Sequence, residues 1–122
     1  MIMKKILIVD DQSDIRKLIR ITIGKSFEVL DAADGATALQ IVRNHRPNVV
    51  VLDIMMPGEL DGLKVLEAIR ADASLEAVEV ILVTARGQAS DYEAGMSRGA
   101  SAYIIKPFSP VQLVNIIKDL VN

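Results

Sequence analysis

The chain reads as an α/β protein, a doubly wound five-stranded parallel sheet with helices on both faces. Three observations predict it. Five short apolar runs recur along the chain, Ile6–Val9, Phe27–Ala32, Val49–Leu52, Val78–Val83 and Ala102–Ile105. Most are rich in Val and Ile and lack alternation, as expected of strands covered on both faces. Segments with helical spacing lie between them, and strict alternation of strand and helix implies right-handed crossovers and a parallel sheet.

The elements follow in order. The first run ends in Asp10-Asp11, and Ser13 or Asp11 can begin a helix with the stripe Ile15, Leu18, Ile19 and Thr22, which Gly24 can end. Ile21 and Ile23 lie off that stripe and raise the question of a partner surface. Asp34-Gly35 precedes the second helix, marked by Leu39 and Val42, and Pro47 follows it. Leu63, Leu66 and Ile69 give the third stripe. Glu79 opens the fourth strand. The segment Gln88–Arg98 offers only Ala89, Tyr92 and Met96 on one face, with Gly95 inside, and is expected to be the least stable helix. Ser109-Pro110 starts the last helix with proline in its first turn, and Leu113, Ile116, Ile117 and Leu120 form its stripe. Val111, Val114 and Val121 lie off that stripe, as a broad buried face or as a surface for association.

Composition bounds the rest. A length of 122 residues suits one domain, 51% hydrophobic and 25% charged residues are those of a globular chain, and residues 1–122 are expected to form it without an output domain. Fourteen basic against sixteen acidic residues, a net charge of -2, argue against direct nucleic-acid binding through bulk charge. The absence of cysteine excludes disulfides and thiolate zinc sites and fits a cytoplasmic home. The N-terminal "MIMKKILIVDD" meets acids too soon to be a signal peptide or a membrane span.

Ligands of such sheets gather beyond the carboxyl ends of the strands. The first run ends in Asp10-Asp11, the third in Asp53, the fourth in Thr84 and the fifth in Lys106-Pro107. Two carboxylates about 4 Å apart repel by roughly 4 kcal/mol at an effective dielectric near 20, so three need more positive charge than one lysine brings. Oxygen donors without Cys or His suit a hard ion, Mg²⁺ or Mn²⁺. A solvated strand end is the plain alternative for Asp10-Asp11 alone. A metal, a hydroxyl and an ammonium together suit phosphoryl oxygens. No Gly-rich cradle for a nucleotide is present, and His45, the one histidine, sits in "RNHRP" as a surface residue. The remaining nucleophile is a carboxylate, able to form an acyl phosphate.

"LIVDD", "VVVLDIMMPG", "VILVTA" and "AYIIKPF" together resemble the receiver domain of two-component response regulators, CheY-like, over Lys4 to Leu120. The resemblance implies five helices and a flavodoxin-like strand order 2-1-3-4-5. It implies Asp53 as phospho-acceptor from a histidine kinase or phosphotransfer protein, with Asp11 as direct metal ligand and Asp10 supporting the metal through water. Met55 would complete the metal site with its backbone carbonyl. Lys106 and Thr84 would grip the phosphoryl oxygens, and Pro107 would follow a cis bond, otherwise a minority form. Thr84 and Tyr103 would carry the switch, the alternative for Tyr103 being an amphipathic strand residue with a wet hydroxyl. The fourth helix, last strand and last helix would form an output face toward an effector protein, a detached output domain or a second copy.

The pattern departs from the family in "DIMMPGELDGL", one residue longer between Pro57 and Asp61, which should displace or bulge that loop. Met55 and Arg86 occupy the positions that tune phosphoryl lifetime. Competing readings are a small-molecule phosphatase, which lacks a general acid and a cap, and an FMN carrier, whose phosphate loop "DDQSDIR" contradicts. A pseudo-receiver acting only by binding is opposed by the presence of every acceptor-site residue type.

Overall fold

The computed structural model describes residues 3–56, 58–85 and 89–121. The strands are β1 (Lys5–Val9), β2 (Glu28–Ala32), β3 (Val49–Asp53), β4 (Glu79–Ala85) and β5 (Ala102–Lys106). They alternate with α1 (Ser13–Ile23), α2 (Gly35–His45), α3 (Gly62–Ala71), α4 (Ala89–Ser97) and α5 (Pro110–Val121). All pairings are parallel and the sheet order is β2-β1-β3-β4-β5, so β2 is added on one side of β1 and β3, β4 and β5 on the other, and the strand order switches between β1 and β3.

Each central strand feeds two cores, because successive side chains leave on opposite faces. Leu7, Val9, Val50, Leu52, Val80 and Leu82 pack with α2 and α3 through Val42, Leu66 and Ile69. Ile6, Ile8, Val49, Val51, Ile81 and Val83 pack with α1 and α5 through Ile19, Ile23, Leu113 and Ile117. The edge strands are less covered, and Ile105 on β5 is substantially exposed.

The caps explain where helices begin. Asp34 and Asp61 accept hydrogen bonds from the amides of Thr37 and Lys64, each satisfying an otherwise orphaned donor of the first turn. Ser109 does the same for Gln112 ahead of Pro110. α1 begins at Ser13 as expected, but neither Ser13 nor Asp11 caps it. Gln12 stands at the cap position without a side-chain bond, and Gly24 ends the helix at φ 69°. Its stripe is also rotated. Ile23 is buried and Leu18 is exposed, so Ile23 is a core residue, while Ile21 is 76% exposed. On α5, Val114 and Val121 are partly buried, leaving Val111 as the exposed valine.

Gly95 has a packing reason that helix propensity does not show. Propensity counts it against α4, yet it is buried, and a Cβ there would run into the Leu82 side chain of β4. The glycine is what lets the helix press onto the sheet. The α4 end is then tied to α3, Arg98 pairing with Glu67 and the Arg70 Nε donating to the Gly99 carbonyl at 2.9 Å. Pro57, Arg86 and Gln88 lie outside the described residues.

Gly95→Ala should therefore destabilise the domain by about 1–3 kcal/mol, the usual cost of overpacking, despite alanine's better helix propensity. Urea unfolding with an unchanged slope checks it, and a stabilised variant would contradict the close approach.

Candidate functional site

Parallel strands end together, and β1, β3, β4 and β5 bring their terminal residues to one rim. Register pairs Leu52 with Val9 and with Leu82, and Asp53 with Val83, so Asp53 lies one step before Thr84. Ala85 pairs with Lys106. The Lys106 Nζ lies 3.0 Å from Asp10 Oδ2 and 3.2 Å from Asp53 Oδ2, a single ammonium shared by two carboxylates. Asp53 is 4% exposed, Asp10 equally enclosed, and Thr84 fully buried. The other oxygens are also held: Asp10 Oδ1 accepts from the Gln12 amide at 2.8 Å, and Asp53 Oδ1 from the Met55 amide at 3.2 Å.

Asp11 is exposed and has no hydrogen-bond partner among the described residues. Its carboxylate joins Asp10 and Asp53 in a group whose oxygens lie within 4.8 Å of one another. Beside it opens a cavity of about 570 Å³ lined by Asp11, Ile54, Met55, Met56, Gly58, Asp61 and Leu63. Among the described residues one ammonium serves Asp10 and Asp53, and the Arg16 guanidinium holds the Asp10 carbonyl, while no cation pairs with Asp11. The all-oxygen donors and the adjoining open space fit a hard divalent ion that keeps several waters.

Burial, and after it the charge of Asp10, push the Asp53 carboxyl above the ordinary carboxylate range, against the pull of Lys106 and the Met55 amide. Burial alone would lower Lys106, but its hydrogen bond to Asp10 and the charges of Asp53 and Asp10 outweigh it, and its pKa stands raised.

The remaining residues fall around this centre. Met55 follows Asp53 by two with its side chain 65% exposed. The Lys106–Pro107 bond is cis. Tyr103 is half-buried on β5, its ring edge-on to Tyr92 of α4 at 5.0 Å between centroids. His45 is exposed at the end of α2, apart from the rim. The longer loop is closed at its neck, where the Gly62 amide donates to the Ile54 carbonyl at 3.0 Å. A Cβ on Gly62 would meet the Asp53 carbonyl oxygen, and Gly58 adopts φ 98° within the loop. Sequence reasoning passed over Gly62 and Arg16, although a helix starting at residue 13 keeps residue 16 beside the tip of β1.

A receiver fold with its acid cluster and lysine at the carboxyl edge places the chain in a signalling class. The family model "Response regulator receiver domain" matches residues 6–118, and the chain belongs to that family, of two-component regulatory systems. It is 41% identical over 120 residues to "Probable transcriptional regulator ycf27" of Cyanophora paradoxa, covering 98% of this chain and 48% of that protein. It is 38% identical over 112 residues to "DNA-binding response regulator MtrA" of Mycobacterium leprae, covering 91% and 48% respectively. The chain thus spans about half the length of these relatives. Among solved structures, chemotaxis protein CheY4 of Vibrio cholerae superposes with TM-score 0.89 at 28% identity, covering 98% of this chain and 99% of that one. A LuxR-family DNA-binding response regulator of Staphylococcus aureus gives 0.87 at 32% identity, with 98% and 99% covered.

A carboxyl with a raised native pKa favours folding most below its unfolded pKa, and that contribution is lost as pH rises through the raised value. Ionised Asp53 is therefore a cost at neutral pH. Metal-free Asp53→Asn should be more stable than wild type at pH 7.5 by roughly 1 kcal/mol, the gain shrinking toward pH 4. Mg²⁺ at ten times its Kd should stabilise the wild type by about 1.4 kcal/mol and the variant by less. Thermal unfolding with and without Mg²⁺ checks both.

Proposed function

We propose that this chain accepts a phosphoryl group on Asp53 from a histidine kinase or a phosphotransfer protein, in a step that requires Mg²⁺ or Mn²⁺. The observation that carries the reading is the Lys106 ammonium held between Asp10 and Asp53 at the mouth of an open cavity. An Asp53 oxygen attacks phosphorus and forms the O–P bond. The P–N bond of the donor breaks, and its electron pair stays with the imidazole nitrogen. Lys106 already touches the acceptor, so it can follow the charge that moves onto the phosphoryl oxygens. Asp11, Asp53 and the Met55 carbonyl would hold the metal, with Asp10 reaching it through water. That ion would supply the charge the three acids lack. Hydrolysis of the acyl phosphate returns Asp53 and releases phosphate, so the turnover is the protein's own rather than that of an external substrate.

A donor histidine must reach Asp53, so its protein has to cover the rim. The adjoining apolar groove of about 360 Å³, lined by Ile15, Leu18, Ala85, Pro107, Phe108 and Lys106, is the surface we assign to it. Output would leave by the α4-β5-α5 face. Thr84 would close on the phosphoryl group and Tyr103, now against Tyr92, would change rotamer in response. Tyr92, Met96, Ile105 and Val111 are exposed large side chains on that face, suited to an effector, an output domain or a second copy.

Incubation with acetyl phosphate and Mg²⁺ should add one phosphoryl group to the intact mass, with no gain in Asp53→Asn or after EDTA. A gain that persists in Asp53→Asn would move the acceptor elsewhere. Beryllofluoride with Mg²⁺ should shift the Tyr103 ring signals in NMR spectra of wild type. Unchanged signals on a loaded site would contradict the switch.

A further inference from the structure

Asp10 is the most constrained residue of the rim. Its amide donates to the Ala32 carbonyl of β2 at 3.2 Å, Oδ1 accepts from the Gln12 amide, and Oδ2 accepts from Lys106. Its carbonyl accepts from the Arg16 Nη1 at 2.7 Å. The same guanidinium turns its Nε toward Asp31 Oδ2 at 3.4 Å, and the Arg16 side chain is largely enclosed. Arg20 approaches the other Asp31 oxygen at 3.5 Å and donates to the Val29 carbonyl. A planar fork thus spans α1, the tip of β1 and β2.

The carbonyl that Arg16 holds belongs to the peptide joining Asp10 to Asp11. A peptide unit is planar, so fixing its oxygen fixes the direction in which residue 11 leaves the strand. Asp11 has no hydrogen bond of its own among the described residues to set that direction. The geometry points to Arg16 as a positioning residue for the metal-binding acids: it acts through the 10–11 peptide and is steadied by Asp31. This rests on the proposed reading of Asp11 as a metal ligand. A lysine cannot replace it, because an ammonium is a point donor without the planar fork that serves two acceptors.

The sign of one measurement separates positioning from charge. Arg16 is a cation near the acids, so by Coulomb's law alone its removal should tighten Mg²⁺ binding. Loss of positioning should weaken it, as removal of groups that orient metal ligands does. The full chain, its Arg16→Met, Arg16→Lys and Asp31→Asn variants, and the wild type are titrated with Mg²⁺ by amide NMR, without any phosphodonor. Arg16→Met should raise Kd roughly tenfold, Arg16→Lys should recover only part of it, and Asp31→Asn should raise Kd less. The Gln12 amide should exchange faster with solvent in Arg16→Met. Unchanged or tighter Mg²⁺ binding in Arg16→Met overturns the inference, as does full recovery by lysine. If Arg16→Met does not fold, Arg16→Lys decides: weaker binding in Arg16→Lys supports the inference, and wild-type affinity in it overturns the inference. Acetyl phosphate is then added to the wild type. Mg²⁺ binding without phosphorylation would sink the acceptor reading and leave the Arg16 result standing, while no Mg²⁺ binding would sink both.

Discussion

One ammonium shared by two buried carboxylates is the interaction on which the site depends. Asp10 and Asp53 come from strands that are neighbours in the sheet, and both are enclosed. Lys106 offsets part of the cost of enclosing them, and its one charge serves two acids at 3.0 and 3.2 Å. The third acid, Asp11, stays in water at the cavity edge. The rim is thus held together by a single shared charge.

The sheet makes this arrangement possible at little structural expense. The three central strands, buried on both faces, supply the floor, and the strand ends fall level because the register is parallel throughout. Asp53, Thr84 and Lys106 stand at or next to the last residues of their strands, and Asp10 follows β1 directly. On the α4 side the helix lies close on the sheet, where a Cβ at Gly95 would run into Leu82 of β4.

Much of this was legible in the sequence for a simple reason. A doubly buried strand must be apolar along its length, so the first polar residue after each run marks the rim, and Asp10, Asp53, Thr84 and Lys106 could be read off directly. Packing partners were less legible. Gly95 counts against a helix by propensity, and only the position of Leu82 on another strand reveals why it belongs there. Ile23 and Leu18 exchanged places because a stripe of apolar residues does not state which edge of it faces the sheet. Arg16 resembles any solvated charge on a helix surface. Its role depends on a carbonyl and a carboxylate from two different strands.

The loop that follows Asp53 holds a last consequence. Its two ends are joined by the Gly62 amide and the Ile54 carbonyl, and Gly62 sits flush on the Asp53 main chain. A segment cinched at its base in this way can gain or lose residues at its tip without disturbing the floor beneath. Related chains can thereby differ in the width of the opening beside Asp53 while its main chain keeps its place.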